Sequence, residues 1–199
     1  MNDIRIRAGL WLLAIGALAP TAVVSFSGDT GAEVTSGLVD NAVRLQLGGI
    51  IATFVAAGLI AAAVSLGRTL PGLSGAVVGV AGTAVAVFYG AYYATFAAAA
   101  VVGNQMLEDP GAGLGESSLL ALNLVEIARY APTLALVVAA VVARKSLSKP
   151  VWAFAAILAV ATVFPMTTWA AALVAPAWLA VAAAGTAART LAPEPVLTH

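Results

Sequence analysis

The chain is divided into long apolar runs that carry almost no charge, and this pattern limits what it can fold into. The runs extend over 8–26, 43–66, 76–102, 118–143, 150–164 and 169–188. Most approach or exceed the roughly 20 residues an α-helix needs to cross the hydrocarbon core of a bilayer. Backbone N–H and C=O groups in lipid must pair within their own segment, so each run is expected to be a helix. No stretch alternates apolar and polar residues with period two, the mark of a transmembrane barrel. Composition agrees: 62% of the residues are hydrophobic and 9% are charged, whereas a soluble domain carries about 25% charged residues. The expected fold class is all-α, a polytopic membrane helix bundle with about six transmembrane helices. Residues 1–199 form a single transmembrane domain. Arg5 and Arg7 precede the first run, which at about 19 residues is longer than the apolar core of a cleavable signal and reads as a retained helix.

The charges set the orientation. With six crossings, Arg5, Arg7, Arg68, Arg144, Lys145, Lys149 and Arg189 fall on one side, and Asp29, Glu33, Asp40, Glu108, Asp109 and Glu116 on the other. Basic loops stay in the cytoplasm, so both termini are expected inside, N-in and C-in. The Ala-, Gly- and Val-heavy composition points to a GC-rich bacterial genome, which places the chain in the bacterial cytoplasmic (inner) membrane. Two outer loops are expected, at 28–42 and 104–117. The first ends in a helical lead-in, Ser36–Arg44, to the second span.

Several chemistries drop out. Net charge is zero, which leaves no basic surface for nucleic acid. There is no cysteine, and the single histidine is His199 at the end of the chain. Thiolate and histidine metal sites, and Ser–His pairs, are therefore not expected, and no metal or cofactor is called for. The sequence Gly72-Leu-Ser-Gly75 looks like the nucleophile motif of rhomboid proteases. Those proteases need an intramembrane histidine base, so Ser74 reads as a turn or N-cap residue. Gly75 and Gly79 have the small-residue spacing of a helix-packing surface. Neither a Walker A motif nor paired Asp-rich diphosphate motifs occur.

The segment Asn123–Pro132 holds the candidate chemistry. Glu126 and Arg129 lie inside the fourth run, where ionisable groups are costly and face a cavity or a partner. Their i,i+3 spacing makes them neighbours on one helix face. Tyr130 follows, and Pro132 is expected to kink the helix one turn on. In the third run Tyr89, Tyr92, Tyr93 and Phe96 form one helical stripe, with Phe88 beside it. Such a stripe serves either helix packing or an aromatic pocket. Trp11, Trp152 and Trp169 read as interfacial anchors. Trp178 is deeper, after Pro176, and either lines the same cavity or faces lipid. Asp40 and Arg44 sit at the outer mouth of the second run, as a solvated helix end or a polar lid.

In size, multi-span form, absence of diphosphate motifs, and an acid near aromatics, this plan resembles the small integral-membrane terpene cyclases. The residues carrying the resemblance are Glu126 and the Phe88–Phe96 stripe. It implies an apolar isoprenoid substrate drawn from among the membrane lipids. Protonation would start the cyclisation, with Glu126 as the acid and Asp40 as the second one. Arg129, Tyr130, the stripe and Trp178 would bind substrate. Six short-looped helices also resemble the substrate-binding membrane subunits of vitamin importers, in which Arg129 or Arg44 would hold a ligand carboxylate and a separate ATPase would supply energy. Uncharacterised six-span bacterial membrane proteins are similar too, which implies a structural role, with oligomerisation open.

Overall fold

A computed structural model describes residues 2–23, 31–105 and 114–190. The described residues fold into seven α-helices and one 3-10 turn: α1 (Asn2–Val23), α2 (Gly31–Asp40), α3 (Ala42–Thr69), α4 (Gly72–Gln105), α5 (Leu114–Val142), α6 (Lys149–Val163) and α7 (Pro165–Thr190), with the 3-10 turn at Arg144–Ser146 between α5 and α6. The expected all-α class is what is observed. Within α3, α4, α5 and α7 lie four stretches long and apolar enough to cross a membrane: Ala42–Thr69, Gly72–Val102, Asn123–Val142 and Met166–Ala187. Helices α1 and α6 contribute shorter apolar stretches, Ala8–Pro20 and Lys149–Val163. Each expected run thus coincides with a helix, apart from residues 24–26, which lie outside the described residues.

The helices pack in sequence, α3 on α4, α4 on α5, α5 on α6 and α6 on α7, and α1 closes the bundle against α7 and α3. Helix α7 also touches α3, α4 and α5. It is the central helix: 67% of its apolar window is buried, against 33–44% for the other three. Its alanines make this possible, since Ala171, Ala175, Ala180 and Ala182–Ala184 let neighbouring backbones approach closely. Large apolar side chains point outward around the rest of the bundle, among them Leu12, Ile15, Phe54, Val80, Ile127, Val160 and Val163. An apolar belt of this extent is what lipid, not water, accommodates.

Four local features refine the sequence reading. The lead-in to the second run is a separate helix, α2, ending earlier than Arg44. The helix is interrupted at Asn41, whose φ of −109° and ψ of 14° depart from helical values; its backbone N–H still makes the helical i→i−4 bond to the Gly37 carbonyl at 3.2 Å, and its Nδ2 donates to the same oxygen at 3.0 Å. Helix α4 begins at Gly72, whose φ of +59° suits glycine, so Ser74 lies inside the first turn and not at the cap. Helix α5 already starts at Leu114, inside the expected outer loop, while residues 106–113 lie outside the described residues. Finally, α6 and α7 are joined through Phe164 alone. The carbonyls freed at the end of α6 are covered by hydroxyls: Thr167 Oγ1 donates to Ala161 (2.8 Å), and Thr168 Oγ1 to Thr162 (3.2 Å) and Phe164 (2.8 Å).

Candidate functional site: a buried arginine on an aromatic ladder

Helix α5 runs unbroken through Pro132. Proline offers no N–H to the Ala128 carbonyl, and just beyond it Thr133 Oγ1 adds a donor to the Arg129 carbonyl at 2.8 Å. Two turns are thereby fixed with Glu126, Arg129 and Tyr130 on one side. Tyr130 donates its hydroxyl to Glu126 Oε1 at 2.8 Å. Arg129 Nη2 lies 3.5 Å from the same oxygen. Glu126 is therefore an acceptor for two neighbours from its own helix. It keeps 26% of its side-chain exposure, while Arg129 is only 3% exposed.

The guanidinium is seated on α4: its carbon lies 4.4 Å from the centroid of the Tyr92 ring. A cation over an aromatic face gains on the order of 2 kcal/mol or more when desolvated. Tyr92 belongs to a ladder of edge-to-face rings. Its centroid is 5.3 Å from that of Tyr93 and 5.1 Å from that of Phe96, and Tyr89 and Tyr93 are 5.0 Å apart. These are favourable aromatic separations.

The stripe read from the sequence is present but splits between two environments. Tyr89 and Tyr93 are buried among Ala14, Ala17, Ala52, Ala56 and Ala177, on α1, α3 and α7. Phe96 packs with Leu38, Leu45 and Ala100, where α2 meets α3 and α4, and Tyr92 borders both groups. Phe88 is half-buried and stands outside the ladder. The rings fill space against one another, so the stripe is a packed wall more than the lining of a cavity.

Other expected members lie elsewhere. Trp178 is buried between α6 and α7, with its indole N–H donating to the Val151 carbonyl at 3.0 Å. Asp40 is exposed at the end of α2 and accepts from Ser36 Oγ at 3.2 Å. No bond among the described residues joins it to Glu126, and none joins it to Arg44. The break at Asn41 removes the continuous helix that would have set that pair face to face.

Three polar atoms are buried with no hydrogen-bond partner among the described residues: Arg129 Nε, Tyr89 Oη and Tyr93 Oη. Buried polar groups are ordinarily paired, and a guanidinium has five donors to satisfy. This deficit, with the seat on Tyr92, is what reading the sequence missed. The i,i+3 spacing announced the Glu126–Arg129 pair, but nothing in it reports how much of Arg129 the pair leaves unmet. Among the described residues no cluster of His, Asp or Glu could hold a metal ion.

Against family models, curated proteins and solved structures, no match to the chain was found.

Proposed function

We propose that this protein crosses the bacterial inner membrane six times, with both termini cytoplasmic, and binds a small anionic ligand through Arg129 as the substrate-binding membrane subunit of a transporter. The orientation is supported by how the links pack. The α3–α4 turn (Pro71, Ser74) and the α5–α6 link (Val141–Ser146) flank one cleft, gathering Arg68, Arg144 and Lys145 at one end of the bundle. Arginine and lysine concentrate in cytoplasmic loops.

The ligand reading rests on Arg129. Its contact to Glu126 is single and long, where charge-assisted pairs run about 2.7–2.9 Å and are often bidentate. It is 3% exposed with Nε unpaired. A buried cation that is only partly satisfied is expensive, and intramembrane ionisable residues mark substrate pathways by default. A ligand carboxylate would complete its donors. Energy would come from a separate ATPase.

One observation favours a second reading, an intramembrane cyclase acting on an isoprenoid chain. Glu126 stays a quarter exposed, with Arg129 and the Tyr92 ring beyond it. Its engagement by Tyr130 and Arg129 counts against a free acid.

Mass spectrometry of metabolites retained by purified wild type, Arg129→Gln and Glu126→Gln separates the two. A small carboxylate held by wild type and lost from Arg129→Gln is expected. A polyprenyl compound altered only in Glu126→Gln would move the assignment to the cyclase. Identical profiles in all three folded proteins would overturn both.

A further inference from the structure

An open groove of about 760 Å³ runs between α1, α6 and α7 on the side of the bundle lined by Trp11, Leu18, Phe154, Val174, Trp178 and Gly185. Its walls are hydrocarbon and aromatic. The polar edge of Trp178 is already used, since its N–H is bonded to Val151, so only ring surface faces the groove. From Val174 to Gly185 the groove follows α7 for about 16 Å at 1.5 Å per residue. That matches one leaflet, about half of the ~30 Å hydrocarbon thickness.

One end of the groove is charged. Ser148 and Pro150 line it there, and Lys149 lies between them in sequence, exposed. Lys145 and Arg144, also exposed, belong to the same link but line the neighbouring cleft beside the α3–α4 turn. None of the three is in an ion pair among the described residues, where the pair formed is Glu126–Arg129. The link itself, Ala143–Pro150, contains no acid. An apolar channel one leaflet deep with unneutralised cations at its interfacial end has the charge and length of one kind of molecule.

We infer that this groove holds an acyl chain of an anionic phospholipid from the leaflet at the basic end of the bundle, with the headgroup phosphate against Lys149. The inference shares with the proposed function the placement in a bilayer and nothing else, because Arg129 takes no part in the groove.

The structure supplies a plug for the test. A Cβ at Gly185 would find only Val151 Cγ2, at 3.8 Å, an ordinary contact. Gly185→Phe therefore extends into the groove without meeting backbone. Delipidated protein is offered equal amounts of dioleoylphosphatidylglycerol and dioleoylphosphatidylcholine, and retained lipid is counted by native mass spectrometry. Wild type is expected to prefer the glycerol lipid. Lys149→Glu should lower that preference by about fivefold or more, the factor carried by one lysine at an anionic surface, while still retaining some choline lipid, and Lys145→Glu, on the neighbouring cleft, should lower it less. Gly185→Phe should lose both lipids while keeping the wild-type elution volume and helical content. Arg129→Gln should match wild type, which separates this result from the fate of the ligand site. Equal retention of the two lipids by wild type, or an unchanged preference in Lys149→Glu, would overturn the headgroup assignment. Undiminished lipid on folded Gly185→Phe would overturn the groove.

Discussion

Substituting alanine at Gly67 and at Gly79 should give opposite results, although both glycines sit on the α3–α4 contact. A Cβ on Gly67 would lie 2.8 Å from the Gly75 carbonyl oxygen and 2.8 Å from Gly79 Cα. Non-bonded carbon atoms prefer about 3.5–4.0 Å, so α3 and α4 must separate by about 0.7 Å or more at this point. A gap of that size forfeits roughly a quarter to a half of each pair's attraction, which is about 0.1–0.2 kcal/mol per atom pair. If the crossing holds on the order of 40 atom pairs, as one buried leucine does, the loss is about 1–4 kcal/mol. This brackets the 1–3 kcal/mol typical of overpacked cores. A Cβ on Gly79 meets Gly67 Cα at 3.7 Å and the Ala63 carbonyl at 3.9 Å, ordinary contacts that require no movement. Gly79→Ala should be neutral or slightly stabilising, since alanine is the better helix former by about 1 kcal/mol. The measurement is thermal unfolding in detergent, followed by loss of the monodisperse peak, with wild type and both variants in parallel. Equal destabilisation by the two substitutions would refute the reasoning, because it would mean that the close approach is not at Gly67.

Other expectations follow from single contacts. Glu126→Ala removes both the acceptor for Tyr130 and the partner of Arg129. It should cost about 2–3 kcal/mol, less than the 3–5 kcal/mol of a fully buried pair, because Glu126 keeps 26% exposure. Tyr130→Phe should cost about 1 kcal/mol, the worth of one hydrogen bond, and chemical denaturation in mixed micelles ranks the two. Trp178→Phe keeps a ring but loses the bond to Val151, for a loss of about 1 kcal/mol; a Tm equal to wild type would show that this bond contributes nothing. The chain has no cysteine, so single-cysteine variants report sidedness directly. A membrane-impermeant maleimide on intact cells should label Ser36→Cys, and label Lys145→Cys only after permeabilisation; the reverse pattern would invert the proposed orientation.

The helices were legible in the sequence because apolar run length and charge are one-dimensional signals. Within the described residues all six runs, including the short one at 150–164, coincide with helices. The break at Asn41 was not legible, since Ser36–Arg44 reads as uninterrupted helix and only the backbone angles at Asn41 depart from it. The spacing of Gly75 and Gly79 announced a packing face, but only three-dimensional placement shows Gly75 and Gly67 in the crowded crossing and Gly79 beside it with room. At the candidate site, spacing along one helix found Glu126, Arg129 and the ring stripe. It could not place Trp178, whose neighbours belong to α6, nor reveal that Arg129 rests on Tyr92. Those facts depend on which helices meet, and apolar runs in lipid are nearly interchangeable as packing partners.

The single-residue link at Phe164 has a consequence for how the chain is made. Helix α6 has 15 residues, about 22 Å of helix, too short to cover a ~30 Å hydrocarbon core alone. In the proposed six-span arrangement it would, on emerging from the ribosome, strand its last carbonyls in lipid, and the hydroxyls that shield them belong to Thr167 and Thr168, the opening residues of the next helix. The protein-conducting channel therefore has reason to hold α6 until the start of α7 has been synthesised and to release the two together. Stop codons placed just before and just after Thr168 should bracket the length at which the nascent chain first resists extraction by alkali.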